Sequence, residues 1–245
     1  MIKSVKKAMD ILTILSASAE SPITLAVLAQ KTGLNKSTCA HIVDTMCDEF
    51  YVERISRKEG YRLGPWAYML SRYGGYYSSL SKLASPVLKW LHEQLDAAVF
   101  LSVACNGRKY IVYHVDPDNI LPMSDGNMIQ GYMETTATGR LLMAYMDNEM
   151  LHYTLAKRAD ETNTDIMTPS LETELKKIRS QGYAYCPVPS ERNQSYAFKV
   201  TDRGKVIASL GILYSDLKDT PEYREKVKKS GRIAAAEISH RKEFE

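Results

Sequence analysis

The sequence predicts an α+β protein with an N-terminal winged helix-turn-helix domain and a C-terminal antiparallel sheet flanked by helices. Two short apolar helical patterns meet at a turn around Gly33, and an alternating hairpin pattern follows at 51–63. From residue 80 onward, helical and strand patterns succeed one another in an order typical of an α+β domain. The predicted domains are a winged helix-turn-helix domain at 1–63, a linker helix and hinge at 64–79, and a sheet-containing domain at 80–245.

The first predicted helix spans residues 3–17. Apolar side chains recur there at helical spacing, which predicts a buried stripe in a small helical core. The stripe consists of Val5, Met9, Leu12 and Leu15.

The helix-turn-helix pattern lies at 23–46. Gly33 can adopt the left-handed conformation that ends a helix, and Asn35 can accept the first free N–H groups of the next helix. Two short helices joined by a turn of roughly 3–4 residues form this motif. The apolar positions are Leu25, Leu28 and Ala29 in the first helix and Cys39, Ile42, Val43 and Met46 in the second.

The outer face of the second helix is polar. A cation and short hydroxyls near a helix N-terminus suit contacts to phosphates and base edges in a major groove. The alternative is an ordinary helix–helix corner with a solvated face. The side chains on this face are Lys36, Ser37, Thr38, His41 and Thr45.

The hairpin at 51–63 carries Arg54 on its first strand and Arg57 and Lys58 at its tip. Cations on such a wing can lie along the DNA backbone, where they supply sequence-independent affinity. Charged residues are common at any hairpin tip. Helix, turn, helix and basic wing in this order favour double-stranded DNA as the partner.

Composition excludes several classes of protein. The net charge is only +3, and residues 1–63 hold nine basic and seven acidic side chains, so bulk charge does not indicate nucleic acid. The four cysteines lack paired close spacing and a histidine cluster, which argues against a zinc site or disulfides and predicts no cofactor. Because there is no run of about 18 apolar residues, we expect a cytoplasmic protein without a membrane partner.

Aromatic residues are concentrated at 64–79, around Trp66 and Tyr68. We predict a linker helix at 64–73 and a hinge at 74–79. The tyrosines can stack on the same helix of a second subunit, because tyrosine combines large area with a polar tip. Packing against the chain's own domains is an equally good interpretation.

The C-terminal part is predicted to contain two hairpins among helices. Asn106 and Gly107 supply a hairpin turn, and Pro221 suits the first position of a closing helix. Cys186 is assigned to a loop. The hairpins lie at 98–115 and 200–214, and the helices lie at 83–95, 138–145, 148–159, 171–181 and 220–240.

The sequence does not predict an enzyme. It lacks a Gly-rich phosphate loop after a strand, a G-x-S-x-G motif and an H-E-x-x-H motif. The histidines are isolated, and Cys186 has no evident activating partner.

A binding site for a small ligand is the better interpretation of this part of the chain. The small residues Ala137, Thr138 and Gly139 begin an apolar helix and let an anionic ligand approach its free N–H groups. An ordinary helix cap is the alternative.

The chain resembles the IclR-type transcriptional regulators. The block GLNKST at 33–38 and the block YRLG at 61–64 carry the most specific similarity, and further blocks lie at 4–12, 51–54, 136–142 and 182–184. The resemblance implies that 1–63 is a DNA-binding domain and that 80–245 is a GAF/profilin-like effector-binding and oligomerisation domain. It also implies a small-molecule effector, and a homodimer or dimer of dimers acting as a repressor or activator. Family members usually carry arginine where this chain has His41, which leaves base preference open.

The resemblance also implies an effector site. The effector would lie against Ala137 and Thr138, with walls at Ile120, Met123 and Gly131 and a far side at Cys186, Ser195, Gly211 and Leu213. Relatives that bind small 2-oxoacids carry an acidic residue in place of Cys186, and serines in place of Gly211 and Leu213. The pocket is therefore expected to be more apolar and to accept an organic acid or related metabolite larger than glyoxylate. Replacement anchors are sought among Tyr185, Arg192, Asn193 and Tyr196.

These observations favour a ligand-responsive DNA-binding regulator. The alternative is a metabolic enzyme or ligand-binding protein whose N-terminal helices bind another protein. The two hypotheses differ in how binding to duplex DNA depends on salt. A DNA-binding regulator should lose affinity steeply as the salt concentration rises, because phosphate contacts release counterions.

Overall fold

A helical unit with a small hairpin comes first in the chain, and a larger unit built on a six-stranded sheet follows, with the division between Ser78 and Ser79. This is the α+β class that the sequence predicts. The computed structural model describes residues 2–18, 21–56, 58–72, 75–117, 129–130, 133–164, 166–188 and 192–243.

The first unit has the predicted order of helices and wing. Its core is formed by residues such as Ile11, Leu28 and Val43, which are fully buried. The two strands pair antiparallel, with Val52 opposite Leu63. The elements are α1 (Lys3–Ser16), α2 (Leu25–Thr32), α3 (Lys36–Asp48), β1 (Val52–Ser56), β2 (Gly60–Leu63) and α4 (Pro65–Arg72).

The buried face of α1 differs from the prediction. Ile11 and Leu15 enter the core, whereas Val5 and Met9 are 53% and 54% exposed. Ala8, Ile11 and Leu15 form the face that meets the core, at helical spacing, so the buried face is rotated around the helix from the predicted stripe and Val5 and Met9 face solvent.

Gly60 begins β2 where the backbone approaches Ile23 closely. Its φ is +104°, and a Cβ atom there would lie 2.3 Å from the carbonyl oxygen of Ile23. Ile23 and Tyr61 exchange two backbone hydrogen bonds of 2.8 and 2.9 Å at this point. The wing is therefore attached to the segment before α2 through a contact that only glycine permits.

The second unit is organised on one six-stranded antiparallel sheet. The elements are α5 (Tyr76–Leu95), β3 (Ala98–Cys105), β4 (Arg108–Val115), β5 (Ile129–Gln130), α6 (Ala137–Tyr145), α7 (Asn148–Thr162), α8 (Pro169–Gln181), β6 (Tyr183–Val188), β7 (Asn193–Asp202), β8 (Lys205–Ser215) and α9 (Pro221–Glu243). The strand order is β5-β4-β3-β8-β7-β6. Each strand pairs with its neighbour in the chain except that β5 and β6 lie at opposite edges, and the pairing of β3 with β8 joins the two halves of the sheet.

Helices cover both faces of this sheet. Val99, Leu101 and Ile212 belong to the core formed with α5 and α9. Ala184 and Ala197 lie on the opposite face, in the core formed with α6 and α8. Because side chains alternate along a strand, each strand contributes to both cores. The second face carries the candidate effector residues.

Three local predictions need correction. Cys186 lies in strand β6 and not in a loop, and β7 begins at Asn193, seven residues before the predicted strand. Residues 76–79 of the predicted hinge form the first turn of α5. The strand patterns are hidden in the sequence because both faces of the sheet are covered, which removes the polar and apolar alternation.

Within the described ranges, no helix combines the length and the apolar character needed to cross a membrane.

Replacement of Gly60 by alanine should destabilise the first unit more than replacement of Gly33. Gly33 also has a positive φ, +67°, but an added Cβ there would meet nothing within 4 Å. Gly33→Ala should therefore cost about 1–2 kcal/mol of backbone strain. Gly60→Ala adds the clash with Ile23 and should cost more. Urea denaturation of both full-length variants measures the difference, and equal losses would contradict the close approach.

Candidate DNA interface and effector site

The turn before α3 fixes the start of that helix. Gly33 adopts the left-handed conformation, and the N–H of Leu34 donates to the carbonyl of Ala29 at 3.0 Å, which ends α2. The side-chain oxygen of Asn35 accepts the backbone N–H of Thr38 at 2.8 Å, which caps α3. The turn therefore has the chemistry that its sequence predicts.

The polar face of α3 is exposed. The first residues, Lys36, Ser37 and Thr38, are at the capped end, and their side chains are accessible to a large partner. His41 and Thr45 continue the face, with the Thr45 hydroxyl donating to the His41 carbonyl at 2.9 Å. The exposed cation and hydroxyls of the first turn are thus available for contacts with phosphates and bases.

Arg54 has a different environment from the other predicted DNA contacts. Its guanidinium donates to Asp44 on α3 at 2.5 Å and to the Tyr61 hydroxyl at 2.9 and 3.2 Å. The hydrogen bond to Tyr61 raises the pKa of this guanidinium. Arg54 therefore links the wing to α3, and it neutralises an acidic side chain close to the polar face.

At the wing tip, Lys58 is exposed. Ser56 and Glu59 are joined across the turn by hydrogen bonds of 3.0 and 3.1 Å. Arg57, the other predicted cation of the tip, lies outside the described residues.

The predicted effector residues converge on the sheet face beneath α6. A Cβ atom on Gly211 would lie 2.8 Å from the Thr138 side chain, so α6 sits directly on β8. Cys186 pairs with Ser195, and Ser195 pairs with Leu213, across three neighbouring strands. Ala137 and Gly139 belong to the same buried first turn of α6 as Thr138. The predicted wall residues Ile120, Met123 and Gly131 lie outside the described residues.

Cys186 is a buried thiol on this face. Its Sγ lies 3.5 Å from the carbonyl oxygen of Thr135, in the turn before α6. Burial raises the pKa of the thiol, which disfavours the thiolate needed of a nucleophile.

Two of the proposed replacement anchors are on the wrong face. Tyr185 and Tyr196 alternate with Cys186 and Ser195, so they point into the core formed with α9. Arg192 is largely exposed and pairs with Asp216 at 3.5 Å. Asn193 is buried and, two residues before Ser195, shares the face of Cys186.

Glycine at two positions allows the close packing of α6. A Cβ atom on Gly139 would lie 2.2 Å from the carbonyl oxygen of Met133, and one on Gly211 would lie 2.4 Å from the Phe100 ring. The space beside Gly211, where 2-oxoacid-binding relatives are expected to carry serine, is therefore occupied by Phe100. Gly139 acts through packing and has no side chain to offer a ligand.

Lys109 is a site residue that the sequence patterns do not single out. Its side chain is 0% exposed, and its Nζ donates to the hydroxyl of Thr138 at 3.1 Å and to that of Thr136 at 3.3 Å. Burial lowers the pKa of this ammonium from 10.5 to about 7. The sequence does contain one indication that Lys109 is buried. In the predicted hairpin at 98–115, strand alternation puts Lys109 on the same face as the apolar Ile111.

Thr136 has a second role at the same place. Its hydroxyl accepts the backbone N–H of Gly139 at 3.2 Å, which caps α6. The N–H groups of the first helical turn therefore point toward the region of Lys109, as expected at any helix N-terminus.

Two ion pairs lie around the turn before α6. Arg140 contacts Glu174 on α8 at 2.7 and 2.8 Å. Arg158 on α7 contacts Glu134 at 2.9 Å. These side chains connect the turn before α6 to the two following helices.

Among the residues that the structure describes, the histidines do not form an enzyme-like cluster. The Nδ1 of His92 lies 2.9 Å from the carbonyl oxygen of Ala97, and His114 and His152 are exposed. Across the part of the chain that is described, no three potential metal ligands come together.

A capped, exposed α3 beside a wing, followed by a sheet unit with a buried polar site, defines a DNA-binding regulator with a separate sensor domain. Comparison with known families agrees with this class. The model of the IclR helix-turn-helix domain matches residues 4–56, and the model described as bacterial transcriptional regulator IclR C-terminal matches residues 77–240. The chain therefore belongs to the IclR family of transcriptional regulators.

Curated relatives support the assignment. The chain is 28% identical over 163 residues to the HTH-type transcriptional regulator TtgV of Pseudomonas putida, a match that covers 66% of this chain and 62% of TtgV. It is 30% identical over 188 residues to the glycerol operon regulatory protein of Streptomyces coelicolor, covering 75% of this chain and 72% of that protein.

Solved structures share the fold over nearly the whole chain. An IclR transcriptional regulator from Alicyclobacillus acidocaldarius has a TM-score of 0.76 at 22% identity and covers 98% of both chains. An IclR homolog from Microbacterium hydrocarbonoxydans, complexed with 4-hydroxybenzoate, has a TM-score of 0.78 at 18% identity and covers 97% of this chain and 98% of its own.

The buried Lys109 should make stability depend on pH. Its pKa is about 7 in the folded protein, against 10.5 for a solvated lysine, so between these values the unfolded chain binds more protons. Raising the pH through this window therefore favours the folded state. The free energy of unfolding of the wild type, relative to Lys109→Met, should rise between about pH 7 and about pH 10.

Urea denaturation of both proteins at several pH values measures this difference. Lys205→Met serves as the control, because Lys205 is exposed on the neighbouring hairpin. A difference between the wild type and Lys109→Met that stays constant across the window would contradict the burial of a lowered-pKa ammonium.

Proposed function

We propose that this IclR-family regulator binds duplex DNA through α3 and the wing and responds to a small organic acid bound beneath α6. The observation that carries the proposal is the exposed polar first turn of α3, held by the Asn35 cap at 2.8 Å. A helix N-terminus that presents a cation and hydroxyls has the chemistry of a phosphate and base contact.

In this proposal the contacts divide into two kinds. Lys36, Lys58 and Arg57 neutralise phosphates and supply affinity, whereas His41 and the α3 hydroxyls contact base edges and supply specificity. Arg54 acts through Asp44 and Tyr61, because its guanidinium is engaged with both. It positions α3 relative to the wing and does not itself need to reach the DNA.

An organic acid is the proposed effector because the site beneath α6 combines a helix N-terminus with a buried ammonium. Both features favour an anion. The 4-hydroxybenzoate held by the Microbacterium hydrocarbonoxydans homolog is an organic acid, which agrees with this class.

A ligand of this kind can shift DNA affinity only through unequal binding to the DNA-competent and DNA-incompetent arrangements of the protein. No chemical transformation of the ligand is proposed, and DNA binding implies a cytoplasmic location.

A homodimer, or a dimer of dimers, is the proposed assembly. Apolar side chains remain exposed on two helices of the first unit: Val5 and Met9 on α1, and Trp66 and Leu70 on α4. Burial of such side chains against a second copy would remove them from water. A two-fold assembly would also present two copies of α3 to successive major grooves.

Lys36→Ala should weaken duplex binding and reduce its salt dependence. Loss of one phosphate contact lowers the slope of log affinity against log salt by about 1. Lys89→Ala, which removes the same charge from an exposed position on α5, should leave both quantities unchanged. Gel shift with DNA from upstream of the gene, at several salt concentrations, measures them. Equal behaviour of the two variants would remove α3 from the proposed interface.

Trp66→Ala should shift the protein toward the monomer if α4 is a dimer contact. Trp66 is 45% exposed in the single chain, so its truncation should cost little stability within one subunit. Sedimentation velocity measures the change, with Trp90→Ala on α5 as a matched aromatic control that is 39% exposed. An unchanged distribution for Trp66→Ala would exclude this contact.

A further inference from the structure

A cavity opens in the second unit where the last part of β7 extends beyond β6. Tyr183, the first residue of β6, pairs with Phe198, so among the described residues β7 continues to Asp202 with only β8 beside it. Helix α9 contacts this open edge, because the Ser239 hydroxyl accepts the backbone N–H of Thr201 at 2.9 Å. The cavity beside this contact has a volume of about 450 Å³, which lies within the range of small-molecule sites.

One wall of the cavity is apolar. A Cβ atom on Gly231 would lie 2.2 Å from the Phe198 ring, so α9 packs directly on this ring. Ala235 and Ala236, one turn further along α9, line the cavity together with Phe198. The wall can therefore pack against the hydrocarbon part of a small organic molecule.

Two cations line the same cavity. Lys199 lies on β7 and Arg232 on α9, both are exposed, and the lining includes no carboxylate. In the part of the chain that the structure describes, neither cation takes part in an ion pair. The cavity therefore has two positive charges without a matching negative charge.

Three other cavities of the second unit differ in this respect. Each of them is lined by one lysine or arginine and one carboxylate, so its charges balance. The residues are Asp147 with Lys205, Glu174 with Lys177, and Glu237 with Arg241. The positive imbalance sets the cavity at the end of β7 apart from them.

Aromatic rings hold both cations in place. The Nζ of Lys199 lies 5.0 Å from the ring centre of Tyr145, and the guanidinium carbon of Arg232 lies 5.5 Å from that of Tyr183. A ring face attracts a cation but has no net charge, so both side chains keep their full charge. Because stacking already restricts these long side chains, a ligand loses less free energy in ordering them.

The end of α8 offsets only part of this charge. Helix α8 ends at Gln181, and Gly182 caps it in the left-handed conformation beside the cavity. A helix C-terminus carries roughly half a negative charge. Two full positive charges exceed this amount, so most of the positive charge is available to a ligand.

We propose that this cavity binds a small organic anion with two negative charges. Lys199 and Arg232 bind the anionic groups, and the wall formed by Phe198, Ala235 and Ala236 packs against the hydrocarbon part. The two charges can come from one phosphate group or from two carboxylates. The site shares no residue with the effector site proposed beneath α6, so either proposal can fail without the other.

The test is calorimetric titration of the full-length protein with phenyl phosphate, terephthalate and benzoate at equal ionic strength. At about pH 8 the phosphate carries two charges, because its second pKa is about 6. At least one of the two dianions should bind more tightly than benzoate, which has the same ring and one charge. Tighter binding of phenyl phosphate identifies a phosphate monoester as the ligand class, and tighter binding of terephthalate identifies a dicarboxylate.

Variants of the lining residues show where the probe binds. Arg232→Gln and Lys199→Gln should each weaken binding of the preferred dianion by about fivefold to tenfold, between the values for an exposed ion pair and for a hydrogen bond to a charged group. Ala236→Glu adds a carboxylate at an exposed position of α9 and should abolish binding, with circular dichroism as the check of folding. Arg241→Gln is the matched control, because Arg241 is an exposed cation of α9 that does not line this cavity.

The proposal is overturned if neither dianion binds more tightly than benzoate, or if the folded lining variants bind as the wild type does. Equal weakening by Arg241→Gln and Arg232→Gln would show a general attraction to positive charge and would also overturn it. Thr138→Val, which alters the site beneath α6, should leave binding unchanged. Loss of binding in this variant alone would place the probe beneath α6 and contradict a site at the end of β7.

Discussion

The same interaction, a side-chain cap at a helix N-terminus, holds both candidate functional surfaces in place. Asn35 caps α3 through the N–H of Thr38, and Thr136 caps α6 through the N–H of Gly139. A cap satisfies one donor of the first turn and leaves others directed along the helix axis. In α3 these donors face outward, where the proposed partner is a large polyanion, and in α6 they face a buried site where the proposed partner is a small anion. Loss of either cap would disorganise the surface that depends on it.

The two sites differ in how charge is used. On α3 and the wing the cations Lys36 and Lys58 are exposed, so their contribution to DNA affinity is screened by salt and carries no sequence information. At α6 the ammonium is buried, and desolvation is the cause of its lowered pKa. A buried charge costs more to maintain than an exposed one, so binding at the α6 site should depend more strongly on the charge of the ligand. The weakly selective charge thus lies where DNA is proposed to bind, and the selective charge lies where a metabolite is proposed to bind.

The first unit is largely predictable from sequence, because its turns have local chemistry. Gly33 and Asn35 determine the helix-turn-helix geometry from their own conformational preferences, and the wing follows within a few residues. The second unit is harder to predict, because long-range pairing decides which face each side chain occupies. Tyr196 is a plausible ligand anchor by sequence, yet its register opposite Ile212 directs it into the other core. Lys109 escapes sequence reasoning because a lysine in a hairpin is usually solvated, whereas here its Nζ is buried against the hydroxyls of Thr136 and Thr138.

Selection of bound fragments from the organism's genomic DNA tests the central claim most directly, with the wild type and a His41→Arg variant compared. The account predicts an enriched site with two related half-sites about one helical turn apart, and a changed base preference within each half-site for the variant. Enrichment of no sequence, or the same bases enriched by both proteins, would contradict the assignment of α3 as the element that determines where this regulator binds.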